Sequence, residues 1–234
     1  MNTDCVPKHL GIILDGNRRF AKKLMLKPWK GHEWGAKKVE QLLDWCKDLK
    51  IKELTLFAFS TENFNRPKLE FDYIMKVFKE SYIKLKQDAR VMKNKIKIRF
   101  IGRLHLFPKE IQTLMHEIME QTKDNAAYIV NFAMGYGGRA EIIDATRKIA
   151  AQVKQGTLDV NKINEEIFED NLYMPDEPDL IIRTGGEQRI SGFLLYQGSY
   201  AEYYFEKKKW PEFEKEDLIK AVEDYSSRKR RFGK

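Results

Sequence analysis

The stretch Gly11-Ile-Ile-Leu-Asp-Gly-Asn-Arg-Arg19 joins a short apolar run to a polar turn. The run from Gly11 to Leu14 has no polar residue, which is typical of a strand buried on both faces of a sheet. The polar turn begins at Asp15 and leads directly into residues with helical spacing. The stretch therefore predicts a strand followed by a helix, with charged side chains at the carboxyl end of the strand.

Four further short runs are mostly apolar, at residues 54–59, 96–101, 128–134 and 179–182. Segments between and after them carry apolar residues three and four apart, which is the pattern of amphipathic helices. The helices are predicted around 39–49, 71–85, 109–122, 139–155, 161–169 and 215–228. This alternation predicts an α/β fold, a single domain over 1–234 whose central, mostly parallel β-sheet is flanked by helices.

Composition limits the function only broadly. No apolar run approaches the roughly 20 residues of a membrane span, and the first residues lack the order of a signal peptide, so a cytoplasmic location is expected. Cys5 and Cys46 form neither a disulfide framework nor a metal cluster. The net charge of +8 indicates an anionic partner, which on charge alone could be nucleic acid, an acidic membrane or a phosphorylated substrate.

Polar residues follow every predicted strand. The segments are Asp15 to Arg19, Ser60 to Asn63 with Arg66, Gly102-Arg103, Gly135 to Arg139, and Arg183 to Glu187. In open α/β sheets the ligand crevice lies outside the carboxyl ends of the strands. The sequence therefore predicts one anion-binding site at that edge.

Two segments could bind phosphate. A phosphate could lie at the helix start that follows Asp15, although an ordinary Asp N-cap with a glycine turn explains the same residues. Arg183, Arg189 and Ser191 form the second segment, and its alternative is a turn with surface arginines. Neither segment is a GxxxxGK[ST] loop or a GxGxxG fingerprint, so nucleoside triphosphates and dinucleotides lose support.

Three other features are less specific. Glu202 stands among aromatic residues and could share a magnesium ion with Asp15 and a diphosphate, but an ion pair with Arg or Lys fits equally well. His32 could hydrogen-bond a phosphate, although a lone histidine is more often structural. The basic C-terminal run from Arg228 could be a solvated tail or a patch for nucleic acid or membrane.

Taken together and in order, the motifs resemble the cis-prenyltransferase family, which includes undecaprenyl diphosphate synthases. The matching stretches are HLGIILDGNRRFA from His9, LFAFSTENFNRP from Leu56, YGGR from Tyr136, DLIIRTGGEQRISGFLLYQ from Asp179, YAEYYF from Tyr200, WPEF from Trp210 and the final RRFGK. The resemblance implies condensation of isopentenyl diphosphate onto an allylic diphosphate to make a long polyprenyl diphosphate. It also implies a hydrophobic tunnel for the growing chain, which the helix with Phe71, Ile74, Phe78 and Tyr82 could line.

The resemblance assigns roles to individual residues. Asp15 would hold Mg²⁺ with Glu202 as the second carboxylate, while Asp15, Asn63 and His32 would act in catalysis. The allylic diphosphate would be bound by Gly16, Asn17, Arg18, Arg19 and His32, and by the closing loop with Ser60, Glu62, Asn63, Phe64 and Arg66. Isopentenyl diphosphate would be bound by Arg183, Arg189 and Ser191, with Arg231 and Gly233 of the tail, about 226–234, reaching in from the partner of a homodimer. Peripheral membrane contact for product release fits this scheme.

Some residues depart from the bacterial pattern of the family. Pro28 replaces an arginine that binds the allylic diphosphate, so that contact would be lost or supplied by Lys27, Lys30 or Arg18. Phe64 and Arg18 also differ, and all three departures are closer to archaeal and eukaryotic members. They are compatible with an archaeal source and with a longer primer such as geranylgeranyl diphosphate, and the choice between farnesyl and geranylgeranyl diphosphate stays open. Gly192 and Tyr196 replace the more frequent asparagine and tryptophan, and the sequence does not indicate what effect these replacements have.

Two alternatives stay open from the sequence. A nucleic-acid-binding protein would account for the basic charge, but the arginines follow strands instead of covering one helix face, and no RRM, KH or helix-turn-helix signature is present. A noncatalytic partner subunit of a cis-prenyltransferase would keep the tail and lose site residues. Asp15, Arg183, Arg189 and Glu202 are all present, and no DDxxD motif of the trans-prenyltransferases occurs.

Overall fold

The computed structural model describes residues 6–228 and is built on one six-stranded sheet with the strand order β3-β4-β2-β1-β5-β6. The strands are β1 (His9–Ile13), β2 (Glu53–Ser60), β3 (Ile96–Ile101), β4 (Tyr128–Tyr136), β5 (Leu180–Arg183) and β6 (Glu202–Phe205). All strand pairings in this part of the chain are parallel. The five predicted strands are confirmed, whereas β6 was not predicted, since four residues are too few for a clear pattern.

Eight α-helices connect and cover the strands within residues 6–228. They are α1 (Asn17–Lys23), α2 (Gly31–Asp48), α3 (Lys68–Gln87), α4 (Ala89–Lys93), α5 (Lys109–Thr122), α6 (Gly138–Lys154), α7 (Glu165–Asp170) and α8 (Lys215–Ser227). The helix predicted from residue 161 begins at Glu165 instead, because the side chain of Asn164 accepts a hydrogen bond from the Ile167 N–H at 2.9 Å and caps it there. The fold class predicted from the sequence is confirmed, and no helix of the described chain is long and apolar enough to cross a membrane.

Strand β1 lies inside the sheet and is buried along its whole length. Its side chains alternate, so Leu10 and Ile12 enter the larger hydrophobic core while Ile13 enters the smaller core on the other face. Gly11 also faces that second core, where an added Cβ would lie 3.1 Å from the ring of Phe193. The absence of polar residues in this run therefore reflects burial on both faces.

The order of the strands sets the position of the crevice. After β1 the chain adds β2 on one side, and β5 later pairs with the opposite side of β1. The strand order thus reverses direction at β1, and such a reversal leaves an open crevice outside the carboxyl ends of β1 and β5. Ile13 of β1 lies beside Arg183 of β5, so the residues that follow Ile13 enter this crevice together with Arg183.

The two cysteines bear little on function. Cys46 is a buried free thiol on α2, and its burial raises the pKa of the thiol. A buried thiol of this kind packs as a small apolar residue. Cys5 lies outside the described residues.

His9 is a buried structural histidine in β1. Its Nδ1 contacts the carbonyl oxygen of Glu177 at 2.8 Å, and its Nε2 contacts the hydroxyl of Thr55 at 2.7 Å. Burial outweighs the nearby carboxylates and lowers the pKa of His9. The folded protein therefore keeps this ring neutral at pH values where the unfolded chain protonates it.

We expect His9 to make the fold acid-sensitive. Because its folded pKa lies below its unfolded pKa, the unfolded state gains a proton as the pH falls through about 6.5, and stability is lost below that point. The free energy of unfolding should fall by up to about 1.4 kcal/mol per pH unit from this residue. Urea denaturation at pH 7 and pH 5 should show a smaller fall in His9→Gln than in the wild type.

His116→Gln is the matched control, because His116 is exposed on α5. This variant should keep the wild-type pH dependence. An identical pH dependence in His9→Gln and the wild type would contradict the role given to His9.

Candidate active site

A cavity of about 680 Å³ lies between α2, α3 and the sheet. Its polar end contains the strand-end residues and its interior is apolar. The interior is lined mainly by Val39, Leu43, Phe57, Ala58, Phe59, Ile74, Val77, Phe78, Tyr82, Leu85 and Phe132. Of the four residues predicted to line a tunnel, Ile74, Phe78 and Tyr82 do so. Phe71 does not, and instead its ring packs against those of Phe59 and Phe64.

Asp15 lies at the polar end, where β1 meets α1. Its Oδ2 accepts a hydrogen bond from Arg183 Nη2 at 2.8 Å and lies 3.2 Å from Arg19 Nη2. Its Oδ1 accepts from the Gly16 N–H at 2.6 Å. Gly16, and not Asp15, is the N-cap residue of α1. The carboxylate is therefore engaged with arginines, and the simple N-cap explanation of this residue does not hold.

Two glycines allow the backbone to approach closely here. Gly16 has a φ of +105°, and an added Cβ would lie 2.7 Å from the Cβ of Lys209. Gly185 has a φ of +90°, and a Cβ there would lie 2.6 Å from Arg19 Nη2. Both positions combine a backbone conformation that favours glycine with a lack of space, so side chains there would displace Arg19 or the start of α1.

Arg183 is the most deeply placed arginine of the site, with 6% of its side chain exposed. Its Nη1 donates to the Ser191 hydroxyl at 2.8 Å and to the Arg189 carbonyl oxygen. Its Nε is buried without a hydrogen-bond partner among the described residues. A buried guanidinium with a free donor suits an incoming anion, because an unpaired buried donor is costly.

A second charged cluster lies at the start of α3. Glu70, whose side chain is 2% exposed, accepts a hydrogen bond from Arg66 Nη1 at 3.0 Å and pairs with Arg18 Nη2 at 3.5 Å. Arg66 Nη1 also lies 3.1 Å from His32 Nε2. Since a guanidinium can only donate, this nitrogen of His32 must be the acceptor, which leaves the proton of the neutral ring on Nδ1.

His32 is held neutral by these surroundings. Burial, and after it the charges of Arg66 and Arg18, lower the pKa of His32 to about 3. An imidazole with this pKa cannot donate a proton as a general acid near neutral pH, although its Nδ1–H can donate a hydrogen bond to a phosphate oxygen. This neutral state suits the diphosphate-binding role predicted for His32, and its catalytic role stays a prediction.

The segment after β2 is a 3₁₀ turn, Thr61–Asn65, closed by a capping box. The Asn63 side chain accepts from the Ser60 N–H at 3.1 Å, and the Ser60 hydroxyl bonds to the Asn63 backbone. Ser60, Asn63 and Arg66 line the cavity. Glu62 is exposed outside the lining, and the ring of Phe64 packs against those around it instead of facing the cavity.

The structure brings most of the predicted site residues together. The cavity is lined by Asp15, Gly16, Asn17, Arg18, Arg19, His32, Ser60, Asn63, Arg66, Arg183, Arg189 and Ser191. Of the three residues that could replace the arginine at Pro28, Arg18 lines the cavity. Lys27 lies over the ring of Trp29 and Lys30 over that of Tyr73. Arg231 and Gly233 lie outside the described residues.

Glu202 does not join Asp15 within one chain. It pairs in register with Leu180 at the amino end of β5, three positions before Arg183 and Phe205 at the carboxyl edge. This places it about 10 Å along the strand from that edge. Its Oε2 accepts from Arg228 Nη1 at 2.6 Å. The structure thus shows the ion-pair alternative for Glu202, and a metal ion shared with Asp15 stays a prediction.

The sequence did not single out three residues that shape the site. Glu70 follows Arg66 by four positions, which on a helix places the two side chains together and could have identified it. Glu187 accepts from Arg19 at 3.2 Å and from Arg189 at 2.6 Å. Trp210 lines the cavity and donates to the Asp15 carbonyl oxygen from its backbone N–H at 2.9 Å. No local pattern around Glu187 or Trp210 indicates these long-range contacts.

Asp15 is the residue that could bind a metal ion here. Within residues 6–228 no three His, Cys, Asp or Glu side chains cluster as a metal site. The Asp15 side chain is 30% exposed and faces the cavity, and Mg²⁺ often takes only one or two carboxylates when phosphates and water complete its shell. Asp15 therefore fits Mg²⁺ that is bound together with a diphosphate. A bare cation fits less well, because Arg19 and Arg183 would repel it.

Comparisons with known proteins agree with this geometry. The Prenyltransf family model, undecaprenyl diphosphate synthase, matches residues 13–233. Tritrans,polycis-undecaprenyl-diphosphate synthases (geranylgeranyl-diphosphate specific) of Methanopyrus kandleri and Pyrococcus horikoshii are each 46% identical over 231 residues, which is 98% of this chain and 85% and 88% of theirs. The solved structure of lavandulyl diphosphate synthase from Lavandula x intermedia, in complex with dimethylallyl diphosphate, has a TM-score of 0.94 at 34% identity and covers 99% of this chain and 100% of that one. The chain therefore belongs to the undecaprenyl diphosphate synthase family of cis-prenyltransferases.

Proposed function

We propose that this protein condenses isopentenyl diphosphate with an allylic diphosphate and so builds a long polyprenyl diphosphate. The observation that carries the proposal is the cluster of Asp15, Arg19 and Arg183 at the mouth of an otherwise apolar cavity. The substrates of such a reaction combine a strongly anionic end with a hydrocarbon end. A charged mouth and an apolar interior match both ends of that molecule.

The two charged clusters suit two diphosphates. Arg183, Arg189 and Ser191 would hold isopentenyl diphosphate, since Arg183 is buried and has a free Nε donor. Arg18, Arg66 and His32 would hold the allylic diphosphate, with Glu70 fixing both guanidinium groups. Asp15 lies with the first cluster and Arg18 is three residues further along, so both diphosphates would meet near the start of α1.

The chemistry requires stabilisation of a leaving diphosphate. As the allylic carbon–oxygen bond breaks, negative charge grows on the departing oxygen, and fixed donors in a water-poor site lower the barrier. Arg18, Arg66 and the Nδ1–H of His32 would neutralise this charge. Asp15 would hold Mg²⁺, which when bound supplies further charge neutralisation to the diphosphate. Ser60 and Asn63 would position the primer at the cavity mouth.

Geranylgeranyl diphosphate is the primer we propose. Arg18 lines the cavity, and Lys27 and Lys30 do not, so Arg18 would replace the arginine that is missing at Pro28. The two relatives named above are described as geranylgeranyl-diphosphate specific. The cavity of about 680 Å³ offers an apolar path along α3 for such a chain.

We also propose that the protein acts as a homodimer. In that arrangement the tail with Arg231 and Gly233 would complete the isopentenyl diphosphate site of the partner. The role of Glu202 in this arrangement would not require contact with Asp15 of the same chain. A purified protein that is monomeric at active concentrations would contradict this arrangement.

Labelled isopentenyl diphosphate tests the main proposal. The purified protein with Mg²⁺ should incorporate the label into an organic-soluble product, faster with a geranylgeranyl than with a farnesyl primer. A lack of incorporation with either primer would contradict the catalytic proposal and favour a noncatalytic subunit. Faster incorporation with the farnesyl primer would contradict the primer choice alone.

Asp15→Asn should nearly abolish turnover. Asparagine keeps an oxygen that can accept from Arg183 but lacks the charge that would hold a metal ion with the diphosphate. We expect kcat to fall about 100-fold or more, with a far-ultraviolet circular dichroism spectrum like that of the wild type.

Asp72→Asn is the matched control. This exposed acid on α3 pairs with Lys68 outside the cavity, so its kcat should stay at the wild-type level. Near-normal turnover of a folded Asp15→Asn protein would remove Asp15 from the proposed mechanism.

The far end of the cavity should set product length. Leu43 and Leu85 line both the main cavity and a second one of about 40 Å³. Leu85→Ala should open the main cavity towards the second and shift products to longer chains. Ala58→Leu should fill part of the main cavity and shift them to shorter chains.

Mass spectrometry of the products measures both shifts. Ile83→Ala is the control, because Ile83 is exposed on the same helix, and its product range should match the wild type. Wild-type products from both Leu85→Ala and Ala58→Leu would show that the cavity does not hold the growing chain.

A further inference from the structure

The turn after α1 carries an exposed apolar tip. Leu24, Met25 and Leu26 are 45%, 96% and 40% exposed. They form the only run of three exposed large apolar residues within the described part of the chain. Contiguous exposed apolar surface on a soluble domain marks a contact with another body. We refer to these three residues as the apolar turn.

The backbone of the apolar turn makes this exposure unusual. The Leu26 N–H donates to the Ala21 carbonyl at 2.9 Å and the Met25 N–H to the Lys22 carbonyl at 3.0 Å. This is a Schellman helix end, in which Met25 takes the left-handed conformation with a φ of 56°. Glycine is the preferred residue there. Met25 therefore displays a large side chain at a position where the fold favours none and where packing within the chain gains little.

Basic residues surround the apolar turn. Six basic and no acidic residues occur between Gly16 and His32. Lys23 pairs with Glu212 and Lys30 with Glu33. Lys22 and Lys27 have no ion-pair partner within residues 6–228. An apolar tip among unpaired lysines matches an anionic lipid surface, where the tip enters the hydrocarbon edge and the lysines meet the headgroups.

The apolar turn also lies beside the cavity mouth. Lys22, three residues before Met25, lines the cavity together with Arg18 and Arg19 of the same helix. The exposed ring of Trp34 packs edge-on against Phe20 of α1 with the ring centroids 5.9 Å apart. Trp34 thus adds exposed apolar surface near the start of α2, against the helix that leads into the apolar turn.

We propose that the apolar turn docks this protein on an anionic lipid bilayer and holds the cavity mouth next to it. This inference deepens the proposed function, because a polyprenyl diphosphate is an apolar product that must pass from the cavity into a bilayer. A nucleic acid partner is less well matched, since Leu24, Met25 and Leu26 offer it neither a stacking ring nor a hydrogen-bond donor.

Vesicle sedimentation with Met25→Gly tests the docking. The wild type should bind phosphatidylcholine vesicles that contain phosphatidylglycerol, and bind pure phosphatidylcholine vesicles much more weakly. Met25→Gly removes the exposed side chain and supplies the residue that the left-handed position prefers, so the fold should keep or raise its melting temperature. Its partition onto the anionic vesicles should fall about tenfold or more, because the apolar area that enters the bilayer is lost.

Lys50→Gly is the matched control. Lys50 is an exposed residue at the end of α2 with a φ of 62°. Its replacement by glycine therefore changes the backbone preference in the same way as Met25→Gly, and removes a charge elsewhere on the surface. Its vesicle binding should equal that of the wild type. Equal binding of Met25→Gly and the wild type, equal binding to both kinds of vesicle, or no binding of the wild type would each overturn the proposal.

The docking test is independent of catalysis. Vesicle binding needs no substrate, and prenyl transfer measured without vesicles should be the same for Met25→Gly and the wild type. Binding without prenyl transfer would contradict the proposed function and leave the docking in place. Prenyl transfer without vesicle binding would contradict the docking and leave the proposed function in place.

Discussion

The parallel pairing of β1 with β5 is the constraint on which the site depends. It places Ile13 beside Arg183, so the residues that follow β1, Asp15 above all, meet a buried guanidinium at the carboxyl edge. The resulting ion pair, 2.8 Å between Arg183 Nη2 and Asp15 Oδ2, keeps a positive group in a place where it could not remain unpaired. Arg19 and Ser191 lie around that pair, and the further arginines that line the cavity give its mouth an excess of positive charge.

The anionic end and the hydrocarbon end of the site come from different layers of the fold. Strand ends and the start of α1 supply the charges, whereas α2, α3 and the sheet supply the apolar walls. Glu70 connects the layers, because it is buried on α3 and binds both Arg18 from α1 and Arg66 from the turn before α3. A neutral His32 adds a hydrogen-bond donor to this end without adding charge. The apolar turn after α1 likewise combines exposed apolar side chains with neighbouring lysines on the outer surface.

Sequence reasoning predicted the fold and much of the site because both follow local rules. Apolar runs identify buried strands, and parallel strands bring their following residues to one edge, so the strand pattern placed Asp15 and Arg183 at the same edge of the sheet. That β1 and β5 are neighbours came only from the structure. The position of Glu202 at the amino end of β5 could not be predicted, because β6 is short and its register with β5 depends on packing at long range. Phe64 was assigned to the closing loop by resemblance, and in the structure its ring packs against those of Phe59 and Phe107. Glu187 contacts Arg19 and Trp210 contacts Asp15, and no spacing rule reveals contacts between residues so distant in sequence.

The arrangement of the two diphosphates can be tested by a crystal structure with isopentenyl diphosphate, an unreactive thio analogue of geranylgeranyl diphosphate and Mn²⁺. We expect one diphosphate on Arg183, Arg189 and Ser191, the other on Arg18, Arg66 and His32, and an anomalous peak for the metal ion at Asp15. The hydrocarbon of the analogue should lie along α3 in the cavity. Diphosphates bound away from these arginines, or a metal ion that does not contact Asp15, would contradict it.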